Sequence, residues 1–271
     1  MNATLFYSTF VIYAVATILY LCFLVKPKDQ LGSAARWSLY LGFLLHLGFT
    51  ANRYLEAGHT PITNLHEALS FFSLSVVAVF ILCERRYKVS ILGSFVVPLA
   101  LIILAVSAAF SSVIPPLNPA LKSRWLVVHT VMAFLGYAAF AISFGTSIMY
   151  LIQSHFLKKR RLGSLFQKLP PLDILDEISY RCLTWGFPLL TFAIISGAIW
   201  AETAWGTYWS WDPKETWSLI TWFIYAALLH GRLTTGWRGR KAAMLSIFGF
   251  VIMLFTFLGV NLFLPGLHSY K

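Results

Sequence analysis

The sequence predicts an all-α integral membrane protein: a polytopic bundle of about eight transmembrane helices with both termini outside the cytoplasm. Three observations predict it. Of the 271 residues, 58% are hydrophobic and only 11% charged, whereas soluble domains carry about a quarter charged residues. The apolar residues gather into stretches close to the ~20 residues that cross a bilayer as a helix. The basic residues collect in alternate connections between those stretches.

The stretches run over 4–25, 37–55, 66–83, 89–110, 125–157, 181–201, 215–231 and 242–263. Each is assigned to helix because a backbone in lipid must satisfy its own hydrogen bonds. The first lacks a basic leader and a small-residue cleavage site, so it reads as a span and not as a cleaved signal. The fifth exceeds the hydrocarbon thickness and is expected to run into water past Gln153. Of the 21 Lys and Arg residues, 16 fall on one side, in 26–36, 85–88, 158–168, Arg181 and 232–241. The other side holds Arg53, Lys122, Arg124, Lys214 and Lys271. The basic side is cytoplasmic by the positive-inside rule. The formal charge of +11 is thus an orientation signal plus attraction to anionic lipid, and nucleic acid is not an expected partner.

Residues 1–271 read as a single polytopic membrane domain without a repeat of fixed period. Cys22, Cys83 and Cys182 sit near predicted cytoplasmic helix ends, where thiols stay reduced. No C-x-x-C pair is present, so neither thiol oxidoreductase chemistry nor covalent haem attachment to this chain is expected. A nucleotide-binding glycine loop is also missing. The connection 158–180 opens with Lys158-Lys159-Arg160-Arg161 and breaks at Pro170-Pro171. It then reads as a short interfacial helix carrying Leu172, Ile174, Leu175 and Ile178, with a docking site for a cytoplasmic partner as the alternative.

Residues 200–222 hold Trp200, Trp205, Trp209, Trp211, Trp217 and Trp222, six of the ten tryptophans. Asp212 suits a helix N-cap, Pro213 the first helical position and Glu215 the carboxylate of a capping box. An interfacial aromatic belt followed by a capped helix accounts for those three residues. It accounts poorly for so many indoles in one outer segment. A platform for a large, flat, apolar ligand, with indole N–H groups for its polar edge, fits the density better.

The run Trp205-Gly206-x-x-Trp209-x-Trp211-Asp212-x-x-Glu215 resembles the tryptophan-rich signature of the haem-handling superfamily of cytochrome c biogenesis. Further segments resemble its CcsA/ResC branch, the haem-handling subunit of System II cytochrome c synthases: Trp125-Leu-Val-Val-His129, Leu229-His230-Gly-Arg232, Gly259-Val260-Asn261 and Gly266-Leu267-His268-Ser269-Tyr270. Gly58-His59-x-Pro61 with Asn64 is similar too. The likeness covers most of the chain and is strongest from about 120 to 271.

Imidazole is a common axial ligand of haem iron. His129 is expected one turn inside the outer end of helix five and His268 beyond helix eight on the same side, where the tryptophan segment emerges. The resemblance implies that these two histidines flank the signature and ligate haem b from opposite faces, with Trp205, Gly206, Trp209, Trp211, Asp212 and Glu215 around it. It also implies a second, membrane-embedded haem position at His230, roughly 22 Å below the outer end of its helix. The ligand opposite His230 is left open between His46, about 15 Å along helix two from Arg36, and a histidine of a partner subunit. A core hydrogen-bonding role is the alternative for His46. His59 and His66 are expected as solvated loop residues and His155 as interfacial. Haem propionates need cations; Arg124 is the first choice, with Arg53, Lys122 and Lys214 as the rest of the outer supply.

The function implied is attachment of haem to apocytochrome c outside the cytoplasm, in the bacterial cytoplasmic membrane or, in a plastid, the thylakoid membrane. The thiols belong to the substrate, so this chain contributes binding, orientation and control of the iron. Expected partners are a CcsB/ResB-type membrane subunit, apocytochrome c and proteins of a thiol-reducing pathway. Haem is expected to rise from the His230 level to the outer site. Rival readings are a System I haem-handling protein delivering haem to a chaperone, an ion- or proton-coupled transporter using Glu215, His46 and His230, and an assembly subunit without a ligand.

Overall fold

A computed structural model describes residues 2–114, 121–160, 163–264 and 266. Every regular element among them is helical: α1 (Asn2–Val25), α2 (Asp29–Ala57), α3 (Leu65–Tyr87), α4 (Gly93–Ser107, entered through a 3₁₀ turn at Ser90–Leu92), α5 (Arg124–Lys158), α6 (Ser164–Lys168), α7 (Leu172–Trp205), α8 (Pro213–Thr234), α9 (Arg240–Leu254) and α10 (Val260–Phe263). A π-helical turn, Phe255–Gly259, joins the last two. The long helices follow the eight apolar stretches. The spans α1, α3, Ser90–Ser107, α5, α7 and Arg240–Phe263 are long and apolar enough to cross a membrane. With 29 and 22 residues, α2 and α8 also have the length. They are more polar because α2 carries His46, Asn52 and Arg53 and α8 carries Lys214, Glu215, His230 and Arg232. The protein is a multi-pass, all-α membrane protein.

One expectation is corrected. Residues 172–180 do not form a separate interfacial helix but the first turns of α7, which runs unbroken for 34 residues. No helix breaker follows Pro171 until Pro188. The amphipathic turns are tied down by an ion pair from Asp176 to Arg232, 2.6 Å, that draws the start of α7 against the end of α8.

The chain divides into two compact units. The first comprises Met1–Pro115 and Ile152–Pro171, the second Pro116–Leu151 and Leu172–Lys271. In the first, α1 and α2 pack antiparallel along their length, with Tyr13 against Gly42 and Phe23 against Gly32. Helix α3 runs beside α1, and α4 returns against both, its Ser94 hydroxyl donating to the Tyr20 carbonyl at 2.7 Å. In the second unit α5 and α7 cross where a Cβ on Gly186 would stand 2.6 Å from the Phe140 ring, so only glycine permits the approach. Phe140 stacks on Tyr225 of α8 at 3.7 Å between centroids. A buried serine triad, Ser143 with Ser179 and Ser246 at 2.8 Å each, ties α5, α7 and α9 together. Small residues and hydroxyls at helix contacts are what packing in lipid selects, since burial of apolar surface gives no preference between helix and lipid there.

Candidate functional site

The site forms in the second unit at the ends of α5, α7 and α8. His129 sits on the second turn of α5, half-buried, and its Nδ1–H donates to the Ala193 carbonyl of α7 at 2.7 Å. A carbonyl can only accept, so this bond selects the Nδ1–H tautomer and leaves the Nε2 lone pair unprotonated. A metal-ligating histidine is typically held in this way, its other ring nitrogen donating to a carbonyl or carboxylate. Gly197, one turn along α7, lies so close that a Cβ there would stand 2.6 Å from His129 Nδ1. The imidazole ring lies nearly parallel to the Trp200 indole, 20° between planes and 6.5 Å between centroids. Trp200 in turn meets Trp205 edge-on at 4.9 Å.

The tryptophan-rich segment is therefore two helix ends and a short connector. Trp200 and Trp205 close α7, Trp209 and Trp211 sit in the connector, and Trp217 and Trp222 lie on α8. The last two serve packing. Trp217 rests on Phe255 at 4.5 Å, and Trp222 Nε1–H donates to Thr191 at 2.9 Å. Gly206 takes the left-handed conformation that lets the chain leave α7 (φ 77°). Trp211 does the same at φ 59°, a conformation that costs a bulky residue on the order of 1–2 kcal/mol. Its indole is 67% exposed, so the strain holds a large aromatic surface outward. Trp209 stands at right angles to it, 5.8 Å away. The Trp209 Nε1–H is buried without a hydrogen-bond partner among the described residues, a donor in want of an acceptor.

The connector is held by the capping box the sequence predicts. The Asp212 carboxylate accepts from Lys214 N at 3.1 Å. Glu215 Oε2 accepts from Ser210 N at 2.8 Å, from Ser210 Oγ at 3.2 Å and from Asp212 N at 3.2 Å. The Lys214 ammonium donates to Asn261 Oδ1 at 3.2 Å, which ties the start of α8 to α10 just past the π turn. Gly266 lies against the Asp212 carboxylate so closely that a Cβ there would approach Asp212 Oδ1 to 2.4 Å.

The remaining expected ligands fare differently. His268 lies outside the described residues. His230 is exposed on α8, two residues before the Arg232–Asp176 ion pair. Arg124 is exposed at the start of α5. His46, in the first unit, is fully buried with both ring nitrogens engaged, Nδ1 with Tyr13 Oη at 3.2 Å and Nε2 with Ser70 Oγ at 2.9 Å. Ligation by His46 therefore requires one of these bonds to break.

Two assignments change. His66 is not a solvated loop residue: it is 4% exposed on the first turn of α3, bonded to the Ser107 carbonyl at 2.9 Å. Arg53 is not an available outer cation either, because it is buried against Glu67 at 2.7 Å. Sequence reasoning missed Ala193, Gly197 and the π turn, and noted Asn261 only as part of a resembling segment. Only Gly197, a glycine one turn before Trp200 within a span, carried a local signal. The Ala193 contribution is a backbone carbonyl, to which side-chain chemistry gives no clue.

The sequence matches the profile of the cytochrome C assembly protein family over residues 62–268. It is 40% identical to the cytochrome c biogenesis protein CcsA of Guillardia theta, over 80% of this chain and 79% of that one. The CcsA protein of Synechocystis is 35% identical over 97% of this chain and 95% of its own. That of Gloeobacter violaceus is 40% identical over 82% of each. Among solved structures, the cytochrome c haem lyase CcmF has a similar fold, with a TM-score of 0.67 at 17% identity. The likeness covers 95% of this chain but only 46% of CcmF, so the chain spans about half the length of that protein.

Proposed function

The chain belongs to the cytochrome c assembly protein family, as a member of its CcsA group, and from that premise we propose that it binds haem b at the outer membrane face and presents it for thioether attachment to apocytochrome c. The observation that carries this reading is His129: its Nδ1–H is committed to the Ala193 carbonyl, its Nε2 is left as a ligand, and its ring runs beside the Trp200 indole, which Trp205 meets edge-on. The second axial ligand in this proposal is His268. Gly266, two positions earlier in the chain, abuts Asp212 in the tryptophan connector, which supports that choice.

The surrounding residues suit a porphyrin. Trp211 offers an exposed face, and the Trp209 N–H, without a partner among the described residues, offers a donor to a polar edge. Arg124, exposed at the start of α5, is the cation proposed for a propionate. Haem supplies the vinyl groups to which the two substrate thiols add. This chain's residues hold the iron in a fixed orientation, exclude water with indoles and keep His129 in the ligating tautomer. Holding thiol and vinyl together replaces a slow encounter by a positioned one.

His230 is proposed as a ligand at a deeper position through which haem passes on its way outward. Its exposure on α8 suits an opposite ligand supplied by a CcsB/ResB-type partner subunit. His46 serves that role only at the expense of its two hydrogen bonds. The membrane is proposed to be the bacterial cytoplasmic or the thylakoid membrane, with a thiol-reducing pathway keeping the substrate cysteines reduced.

The test is the visible spectrum of detergent-purified protein, oxidised and reduced, with each histidine replaced in turn. His129→Ala and His268→Ala should each abolish the low-spin bis-histidine signature of the outer site. A spectrum unchanged in both variants overturns the proposal.

A further inference from the structure

The first unit contains buried polar chemistry that the proposed outer haem site does not use. Helix α3 carries two buried carboxylates, Glu67 near its start and Glu84 near its end, at 2% and 4% exposure. They lie seventeen residues apart, about 26 Å along the axis, against a hydrocarbon core of about 30 Å. Between them runs a string of buried polar side chains from three helices.

At one end Glu84 Oε2 accepts from the Tyr20 hydroxyl at 3.3 Å, and Arg36 and Arg85 are its charged neighbours. Along the same face of α1, Thr17 and Tyr13 follow at one-turn intervals, 8% and 0% exposed. Tyr13 meets His46 Nδ1 at 3.2 Å, and His46 Nε2 meets Ser70 at 2.9 Å. Ser70 lines a small cavity together with Thr50, Arg53 and Glu67, with room for about one water molecule. Arg53 Nε donates to Glu67 Oε1 at 2.7 Å, while Glu67 Oε2 accepts from Thr63 N and Thr63 Oγ1 at 2.9 Å each. Glu84 Oε1, Thr17 Oγ1 and Arg53 Nη2 are buried without a hydrogen-bond partner among the described residues.

Burying polar atoms without partners is costly, and a bundle that needed only packing would fill such positions with apolar side chains. Ionisable residues within membrane spans mark proton relays when they form a chain of carboxylate, imidazole and hydroxyl groups. An imidazole bonded at both nitrogens is suited to the task, because it accepts a proton on one and releases the other. We propose that the first unit is a proton relay between the two membrane faces. Protons move from Glu84 through Tyr20, Thr17, Tyr13, His46 and Ser70 to Glu67, or in reverse. The turn-long steps between Tyr20, Thr17 and Tyr13 each need one bridging water, as does the cavity between Ser70 and the Arg53–Glu67 pair. The driving force is the transmembrane proton gradient. Tyr13, Thr17, Tyr20, His46 and Arg53 all precede residue 62, where the family match begins, so most of the string lies outside the matched region.

The test uses the full-length protein in liposomes holding an entrapped pH dye, with a potassium diffusion potential imposed by valinomycin. Wild type should carry a proton flux above that of protein-free liposomes. His46→Gln retains hydrogen-bonding groups but cannot shuttle a proton, and Glu84→Gln retains shape without a titrating group; both should fall to the protein-free rate. Ser73→Ala, which removes a buried hydroxyl bonded to the Ala100 carbonyl away from the string, should conduct as wild type. If either Gln variant fails to fold by circular dichroism, Tyr20→Phe replaces it with the same expectation. A wild-type rate equal to empty liposomes, or folded Gln variants that conduct normally, overturns the relay. The outer-site haem spectrum recorded on the same samples should be unchanged in Glu84→Gln, which separates this outcome from any failure of haem binding.

Discussion

Replacing Gly197 by alanine probes the heart of the site through a single methyl group. Its Cβ would stand 2.6 Å from His129 Nδ1 and 2.9 Å from Cε1, against the ~3.4 Å or more of an ordinary contact. The imidazole must retreat by roughly 0.8 Å, and the direction of retreat strains the 2.7 Å bond to the Ala193 carbonyl. Three terms decide the effect on stability. Alanine is better than glycine in a helix by about 1 kcal/mol. Overpacking costs about 1–3 kcal/mol, and a weakened hydrogen bond about 0.5–1.5 kcal/mol. The sum is a destabilisation of at most a few kcal/mol, so the variant should fold. Ligation is far less tolerant, because losing the group that orients a metal-binding histidine typically lowers affinity about 10–100-fold. The assay is titration of haem onto purified Gly197→Ala in detergent, followed by absorbance and by thermal unfolding. The expected result is a large loss of haem affinity with a small change in unfolding temperature. Wild-type affinity with a wild-type spectrum would refute the idea that the Ala193 carbonyl and Gly197 set the His129 geometry.

Other residues of the second unit lead to equally definite expectations. Trp209→Phe keeps the aromatic body but deletes a buried N–H that has no partner among the described residues; haem should bind about tenfold more weakly, the equivalent of one hydrogen bond, with folding unchanged in circular dichroism. Glu215→Ala removes the acceptor of three hydrogen bonds in the connector and should lower stability by about 2–4 kcal/mol, read as unfolding temperature; an unaltered midpoint would show that the connector holds itself. Arg232→Ala leaves Asp176 without the guanidinium that it meets at 2.6 and 3.1 Å. Removing one member of this part-buried, doubly hydrogen-bonded pair costs about 1–3 kcal/mol, and limited proteolysis should become faster in the stretch 235–239, where Gly239 N also donates to Asp176.

Hydropathy determined the helical class and the placement of the long helices, but not every limit: α7 starts at Leu172, nine residues before the stretch 181–201. Lipid offers the backbone no partner, so an apolar run of sufficient length has only one conformation open to it. Local grammar was equally readable at Asp212, Pro213 and Glu215, because a capping box is made by residues within one turn of each other. The tryptophan signature and the flanking histidines also stood out as patterns, since residue type and spacing are properties of the chain itself. What the sequence left open depends on which distant surfaces meet. The tautomer of His129 is set by a carbonyl 64 positions away, and the need for glycine at 197 exists only because α5 crosses α7 there. Arg53 looked like an outer cation and His66 like a solvated loop group, and both proved buried, because the fold supplied Glu67 to one and the Ser107 carbonyl to the other. The separation of the chain into two compact units, one bearing the tryptophans and one a buried polar string, was likewise decided by packing. Hydropathy is a sum over single residues, whereas the partner that makes a buried charge or imidazole tolerable is contributed by another helix.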